Sequence, residues 1–170
     1  LFLFAGPMIL GNLLQQFYNI TDTLIVGQFL GSDALAAVGS SFSLMTFLTS
    51  ILLGLCMGSS VVFSTFFGAR KKDSLQSSFF VSFCFVGLAA VVIEALSLFF
   101  LDPLLTVLQI PAHILSDTRT YLQIIFYGIF FTFLYNFFAS LLRAIGNSFI
   151  PLIFLGVSTL INILLDLLFI

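Results

Sequence analysis

Apolar stretches of twenty and more residues recur along this chain, and no other feature limits its fold so sharply. About 20 such residues in a helix cross the ~30 Å hydrocarbon core of a bilayer. Inside that core a backbone must satisfy its own hydrogen bonds, which leaves only helices and closed barrels. The stretches here do not alternate apolar with polar residues as barrel strands do, so a barrel is excluded. With 61% hydrophobic and 7% charged residues, the chain reads as all-α, a polytopic bundle of transmembrane helices. The expected spans lie near residues 1–30, 34–67, 75–101, 114–142 and 149–170, about five crossings in one unit over 1–170.

Within this lipid-compatible background two carboxylates stand out. Asp22 follows the run Pro7 to Leu14 and precedes Leu24 to Leu30. A charge at mid-bilayer costs at least ~2.5 kcal/mol, so an intramembrane acid points to a functional site, with a partner to be sought. Gln15, Asn19 and Asp22 step by four and three and share one helix face, which Gly11 continues; Leu10, Leu13, Phe17, Leu24 and Ile25 lie opposite. Asp166 is the expected partner. It ends a second stripe, Ser158, Asn162 and Asp166, spaced four and four. Gln15, Asn19, Tyr127, Tyr135 and Asn136 are expected to line a cavity, and Tyr121 to sit in an interfacial aromatic belt. Glu94 is expected to reach the far membrane interface.

The connections carry their own signals. Gly31-Ser32-Asp33 predicts a tight turn, with Asp33 capping the next helix. Residues 34–67 would run ~50 Å at ~1.5 Å per residue, more than one crossing needs. Gly54-x-x-x-Gly58 predicts close helix contact. Ser40, Ser41, Ser43, Thr46, Thr49 and Ser50 could line a passage, but bonds back to their own helix are favoured. Asp102-Pro103 predicts a break, followed by a short interfacial helix from Pro103 to Ile110. Arg70, Lys71, Lys72 and Arg143 fall in the loops after the second and fourth spans, with Arg119 opposite. The positive-inside rule then puts those loops and the N-terminus in the cytoplasm.

Other functions are excluded by what the residues can do. A net charge of −2 with no basic patch gives nothing for nucleic acid. Cys56 and Cys84 lie in apolar runs and read as buried small hydrophobes. His113 sits in a loop with no Cys or His beside it, so a metal site is not expected there. No nucleophile stands beside a base and no loop cradles phosphate, so the chain does not read as an enzyme and needs no cofactor. It opens at Leu1 and stops at Ile170 inside apolar runs, without a signal peptide, as expected of one part of a longer membrane protein.

Taken together, Gly6-Pro7-Met8, Tyr18-Asn19-Ile20-Thr21-Asp22-Thr23, Val26-Gly27, Leu30-Gly31 and Leu35-Ala36-Ala37-Val38-Gly39 resemble the first helix and loop of the MATE (multidrug and toxic compound extrusion) family. Leu142-Arg143-Ala144-Ile145-Gly146-Asn147-Ser148, Pro151 and Leu160 to Ile170 fit the same family in the same order. The resemblance implies two six-helix lobes, of which this chain supplies the first five helices of the N-terminal one. It implies that Asp22, Asn162 and Asp166 form a cation site for a proton or Na⁺. The coupling ion is then H⁺ or Na⁺, and the partners are an amphiphilic or cationic small molecule, the bilayer and the remaining helices. The expected activity is export of hydrophobic or cationic compounds by ion-coupled antiport with alternating access, in a plasma (inner) membrane that the Phe-rich, Lys-poor composition suggests is bacterial. The alternative is a lipid-linked oligosaccharide flippase, to which the fold is related; the acidic character of the intramembrane charges argues against it. Low dielectric favours the neutral form of a carboxylic acid, and a neighbouring carboxylate favours it further. Such a group can take a proton from one side of a membrane and lose it on the other.

Overall fold

The computed structural model describes the backbone of residues 2–169 and the side chains of residues 6–168 apart from Met8 and Leu167. Leu1 and Ile170, the outer ends of the first and last expected spans, and the side chain of Met8 in the Gly6-Pro7-Met8 motif lie outside the described residues. The elements are α1 (Phe2–Ile25), a π-helical turn (Val26–Leu30), α2 (Gly31–Gly68), α3 (Lys72–Phe99), α4 (Leu101–Val107), α5 (Leu115–Tyr127), α6 (Ile129–Ala144) and α7 (Phe149–Phe169). The described residues contain no strand.

Three apolar helical stretches are long enough to cross a membrane, Ile9–Gly68, Lys72–Phe99 and Phe149–Asp166, and the bent pair α5–α6 makes a fourth. The first has 60 residues, which as one straight helix would extend ~90 Å, three bilayer cores. It is not straight. Gly31 has φ +88°, and a Cβ on Gly27 would lie 3.5 Å from the side chain of Leu35. Eight residues of continuous helix would separate those positions by ~12 Å, so the chain turns at Gly31. Asp33 is not the cap expected of it: α2 begins at Gly31 with no side-chain cap, and Asp33 lies inside the first turn. Its charge still complements the positive end of the helix there.

α2, α3, α5 and α6 form the packed part of the lobe. Phe63, Phe126, Phe133 and Phe137 are completely buried, with Leu52, Cys56, Val86, Ala90 and Leu122 around them. Phe137 meets Phe63 edge-on at 5.8 Å and Phe83 at 5.4 Å between ring centroids. Such pairs contribute about 0.5–1.5 kcal/mol each beyond area burial. That matters in lipid, where helices gain nothing from hydrophobicity against each other and hold by close packing. Gly87 admits the Phe133 ring to 3.4 Å of where a Cβ would stand, bringing α3 against α6. The Gly54-x-x-x-Gly58 face behaves otherwise: both glycines are exposed, and a Cβ on either would meet nothing within 4 Å. Cys84 also departs from expectation, being exposed on α3 while Cys56 is buried.

α1 and α7 pack together beside this core. Their outer faces are apolar and bare, Phe17 being 72% and Leu168 74% exposed. Leu10, Leu13 and Leu24 join that face as the stripe predicts, whereas Ile25 is buried.

The fourth span is two helices, not one. α5 and α6 meet at Gly128 with a bend of 44°. Glu94 explains part of this. It does not reach for an interface; it is half-buried, and its Oε2 accepts the Phe130 N–H at 3.2 Å. The carboxylate of α3 thus takes one of the amides that the start of α6 leaves without a partner. The break before α4 falls at Phe100, so α4 starts at Leu101, ahead of Pro103, and buries Leu101 and Leu105. The hydroxyls of Ser40, Ser41 and Ser50 donate to carbonyls one turn back, of Ala36, Ala37 and Thr46, as the sequence reading favours.

Candidate functional site

A cavity of about 560 Å³ lies between the α1–α7 pair and α2–α6. Gly11, Asn12 and Gln15 line it from α1, Thr49 and Leu53 from α2. Phe131, Thr132, Tyr135, Asn136 and Arg143 line it from α6; Pro151, Leu152, Leu155 and Ser158 from α7, with Pro7 and Ser148. Gly11 sets the α1–α7 approach, since Leu152 and Leu155 stand 3.8 Å from the position of a Cβ there. Of the cavity residues expected from sequence, Gln15, Tyr135 and Asn136 come together in this wall. Asn19 and Tyr127 do not: both are exposed and outside it.

The turn into α7 shapes one end of the cavity. Gly146 has φ +89°; its N–H donates to Arg143 O at 3.0 Å, and the Asn147 N–H to Leu142 O at 2.8 Å. This pair of bonds, with a glycine in the left-handed region, closes α6. Asn147 Oδ1 then accepts the Ile150 N–H at 3.2 Å and opens α7. Arg143 is therefore not a loop residue, as the orientation argument takes it to be. It lies in the last turn of α6, half-buried in the cavity wall, with Nε donating to Ala139 O at 3.1 Å.

The two carboxylates sit further along the same pair of helices. Asp22 is eleven residues beyond Gly11 and Asp166 eight beyond Ser158, ~16 Å and ~12 Å along their axes. Both are half-buried, and Asp166 lies within electrostatic reach of Asp22 and of Tyr18. Asn162 Oδ1 and Asp166 Oδ2 are buried with no hydrogen-bond partner. An unsatisfied buried polar atom costs about 1–3 kcal/mol, and such atoms in a folded protein call for an explanation, a binding role among them. Two carboxylates with an amide oxygen make an acceptor-only group of hard donors, suited to a proton or a hard monovalent cation. Among the described residues no group of three or more His, Cys, Asp and Glu is placed to hold a metal ion.

Two tyrosines belong to this neighbourhood that the sequence reading missed or placed elsewhere. Tyr18, one turn before Asp22 on α1, is half-buried beside it. Tyr121 on α5, half-buried, is within electrostatic reach of Asp22 and Tyr18. The i, i+4 spacing of Tyr18 and Asp22 was a usable signal; for Tyr121 only the packing of α5 reveals it.

The arrangement is a helical lobe with a polar cavity and two half-buried carboxylates further along its seam. Residues 7–168 match the MatE family, and the chain belongs to it. It is 34% identical over 163 residues to the probable multidrug resistance protein YoeA of Bacillus subtilis, covering 96% of this chain and 35% of that protein. Solved MATE structures in the straight and bent conformations superpose with TM-scores of 0.86 and 0.85 at 26% identity. Each match covers 94% of this chain, and 35% and 36% of the two solved chains. The chain thus spans about a third of the length of the relatives it matches.

Proposed function

We propose that the complete protein is a secondary antiporter. It exports hydrophobic or cationic compounds across a bacterial plasma membrane in exchange for H⁺ or Na⁺, and it is no enzyme. This lobe supplies five crossings, with α1 and α2 divided at Gly31 and α5–α6 counted as one, and with its N-terminus in the cytoplasm. The coupling ion binds at Asp22, Asn162 and Asp166. The observation that carries this reading is the convergence of two intramembrane carboxylates from α1 and α7 beside the unpartnered oxygens of Asn162 and Asp166.

The physical logic is differential binding. An ion moves an equilibrium between two arrangements only so far as it binds one better than the other. Neutralising the acid pair removes the cost of two close negative charges in low dielectric, so α1 can pack on α7 differently with and without the ion. Relatives solved in straight and bent conformations support two such arrangements. The multidrug naming of YoeA supports drug-like cargo.

The test uses the full-length protein in proteoliposomes, loaded with a fluorescent lipophilic cation, under an imposed pH gradient and separately a Na⁺ gradient. Wild type is expected to drive efflux under one of them. Asp22→Asn and Asp166→Asn are each expected to abolish it while inserting normally. Undiminished efflux in both variants would refute the assignment.

A further inference from the structure

Resting on the export reading, we infer that the cavity holds an anion subsite at Arg143, which takes the carboxylate of an amphiphilic substrate. The acids Asp22 and Asp166 do not line the cavity; among the described residues the charged side chain in its wall is Arg143. The charge in the described wall of this cavity is therefore positive, although the lobe's intramembrane stripes end in carboxylates.

Arg143 is free to act on a ligand. Among the described residues its one hydrogen bond runs from Nε to Ala139 O at 3.1 Å. Among the described residues the one salt bridge, Arg119 with Asp102 at 2.9 Å, lies elsewhere and is exposed. Both terminal amino groups of the guanidinium therefore lack an acceptor among the described residues. A guanidinium presents these N–H groups as a planar fork that matches a carboxylate in two parallel bonds. Its half-burial matters too, because a charge-assisted bond gains strength where water is thinned out. Asn136 and Tyr135 stand two turns earlier on α6 and also face the cavity, ~10–12 Å along the axis. A ligand of drug size can thus set its carboxylate on Arg143 and lay its body toward Tyr135.

A cation in the last turn of a helix also complements the helix dipole. That role would not distinguish an acid from its ester, so a matched pair of ligands separates the two. The experiment measures binding of a rhodamine free acid and of its methyl ester, identical except for the carboxylate, to the full-length protein in detergent by fluorescence anisotropy. The ratio of the two affinities is the readout. Arg143→Gln is expected to lower the acid-to-ester ratio about tenfold, the scale of one charge-assisted hydrogen bond. Arg143→Lys, which keeps the charge and the dipole contact but not the planar fork, is expected to give a ratio between those of wild type and Arg143→Gln. A ratio unchanged in Arg143→Gln, including the case where wild type binds no acid, overturns the subsite. Loss of gradient-driven efflux bears on the export reading alone, because this measurement needs no transport.

Discussion

At the scale of single residues, the lobe separates two tasks that side chains perform in lipid. Phe137 shows the packing task. It is completely buried among Phe63, Phe79, Phe83 and Phe133, and Phe137→Ala is expected to cost on the order of 3 kcal/mol, read as a lowered midpoint of thermal unfolding in detergent. Asp166 carries the proposed binding task, and one of its oxygens is buried without a hydrogen-bond partner. The sequence made Asp22 and Asp166 visible because acids in apolar runs are expensive, and because spacing shows which neighbours share their face. It could not fix how α1 is rotated. Gln15, Asn19 and Asp22 satisfy helical periodicity, yet the contact of Gly11 with Leu152 and Leu155 turns Tyr18 inward and leaves Asn19 exposed. Arg143 was misread for a related reason: a basic residue beside a glycine turn looks like a loop charge until the helix end is seen to lie one residue beyond it.

At the scale of elements, the informative places are the helix breaks. Gly146 holds the α6–α7 turn with a positive φ and two crossing backbone bonds. Gly146→Ala is expected to cost about 1–2 kcal/mol, the penalty for a side chain in the left-handed region, measured by thermal unfolding. The Gly128 bend depends on a neighbour. Removing the acceptor in Glu94→Ala is expected to speed amide hydrogen exchange at residues 128–131 and to leave exchange in α2 unchanged; unchanged exchange at Phe130 would mean the 3.2 Å contact does no structural work. The Gly128 break was not legible beforehand. Gly128 lies in a run of apolar and aromatic residues with a single helical period, and the partner that stabilises its bend is 36 positions away. The turns at Gly31 and Gly146 were legible, because glycine followed by small polar residues has few other uses between two apolar runs.

At the scale of the whole molecule, α2, α3, α5 and α6 form a packed block beside which α1 and α7 pack as a pair, with the cavity at the seam and the acid pair further along it. That geometry fits the proposed antiporter, in which the ion site would report on the packing of two helices. The proposed orientation predicts a labelling pattern. In full-length protein lacking Cys56 and Cys84, single cysteines at Lys71 and Gly146 are expected to react with a membrane-impermeant thiol reagent from the cytoplasmic side, and one at His113 from the opposite side. The helical class and the membrane setting could be read from composition and run length alone, whereas the cavity could not, since its wall draws on four helices whose contacts no local pattern encodes. The central claim is that Asp22 and Asp166 act as one ion site linked to the cavity. Its most direct test is ion release on substrate binding, followed in weakly buffered detergent solution with a pH indicator and a Na⁺ electrode. The account predicts that substrate displaces H⁺ or Na⁺ from wild type and that Asp22→Asn and Asp166→Asn each abolish the release. Full release from both variants would contradict it.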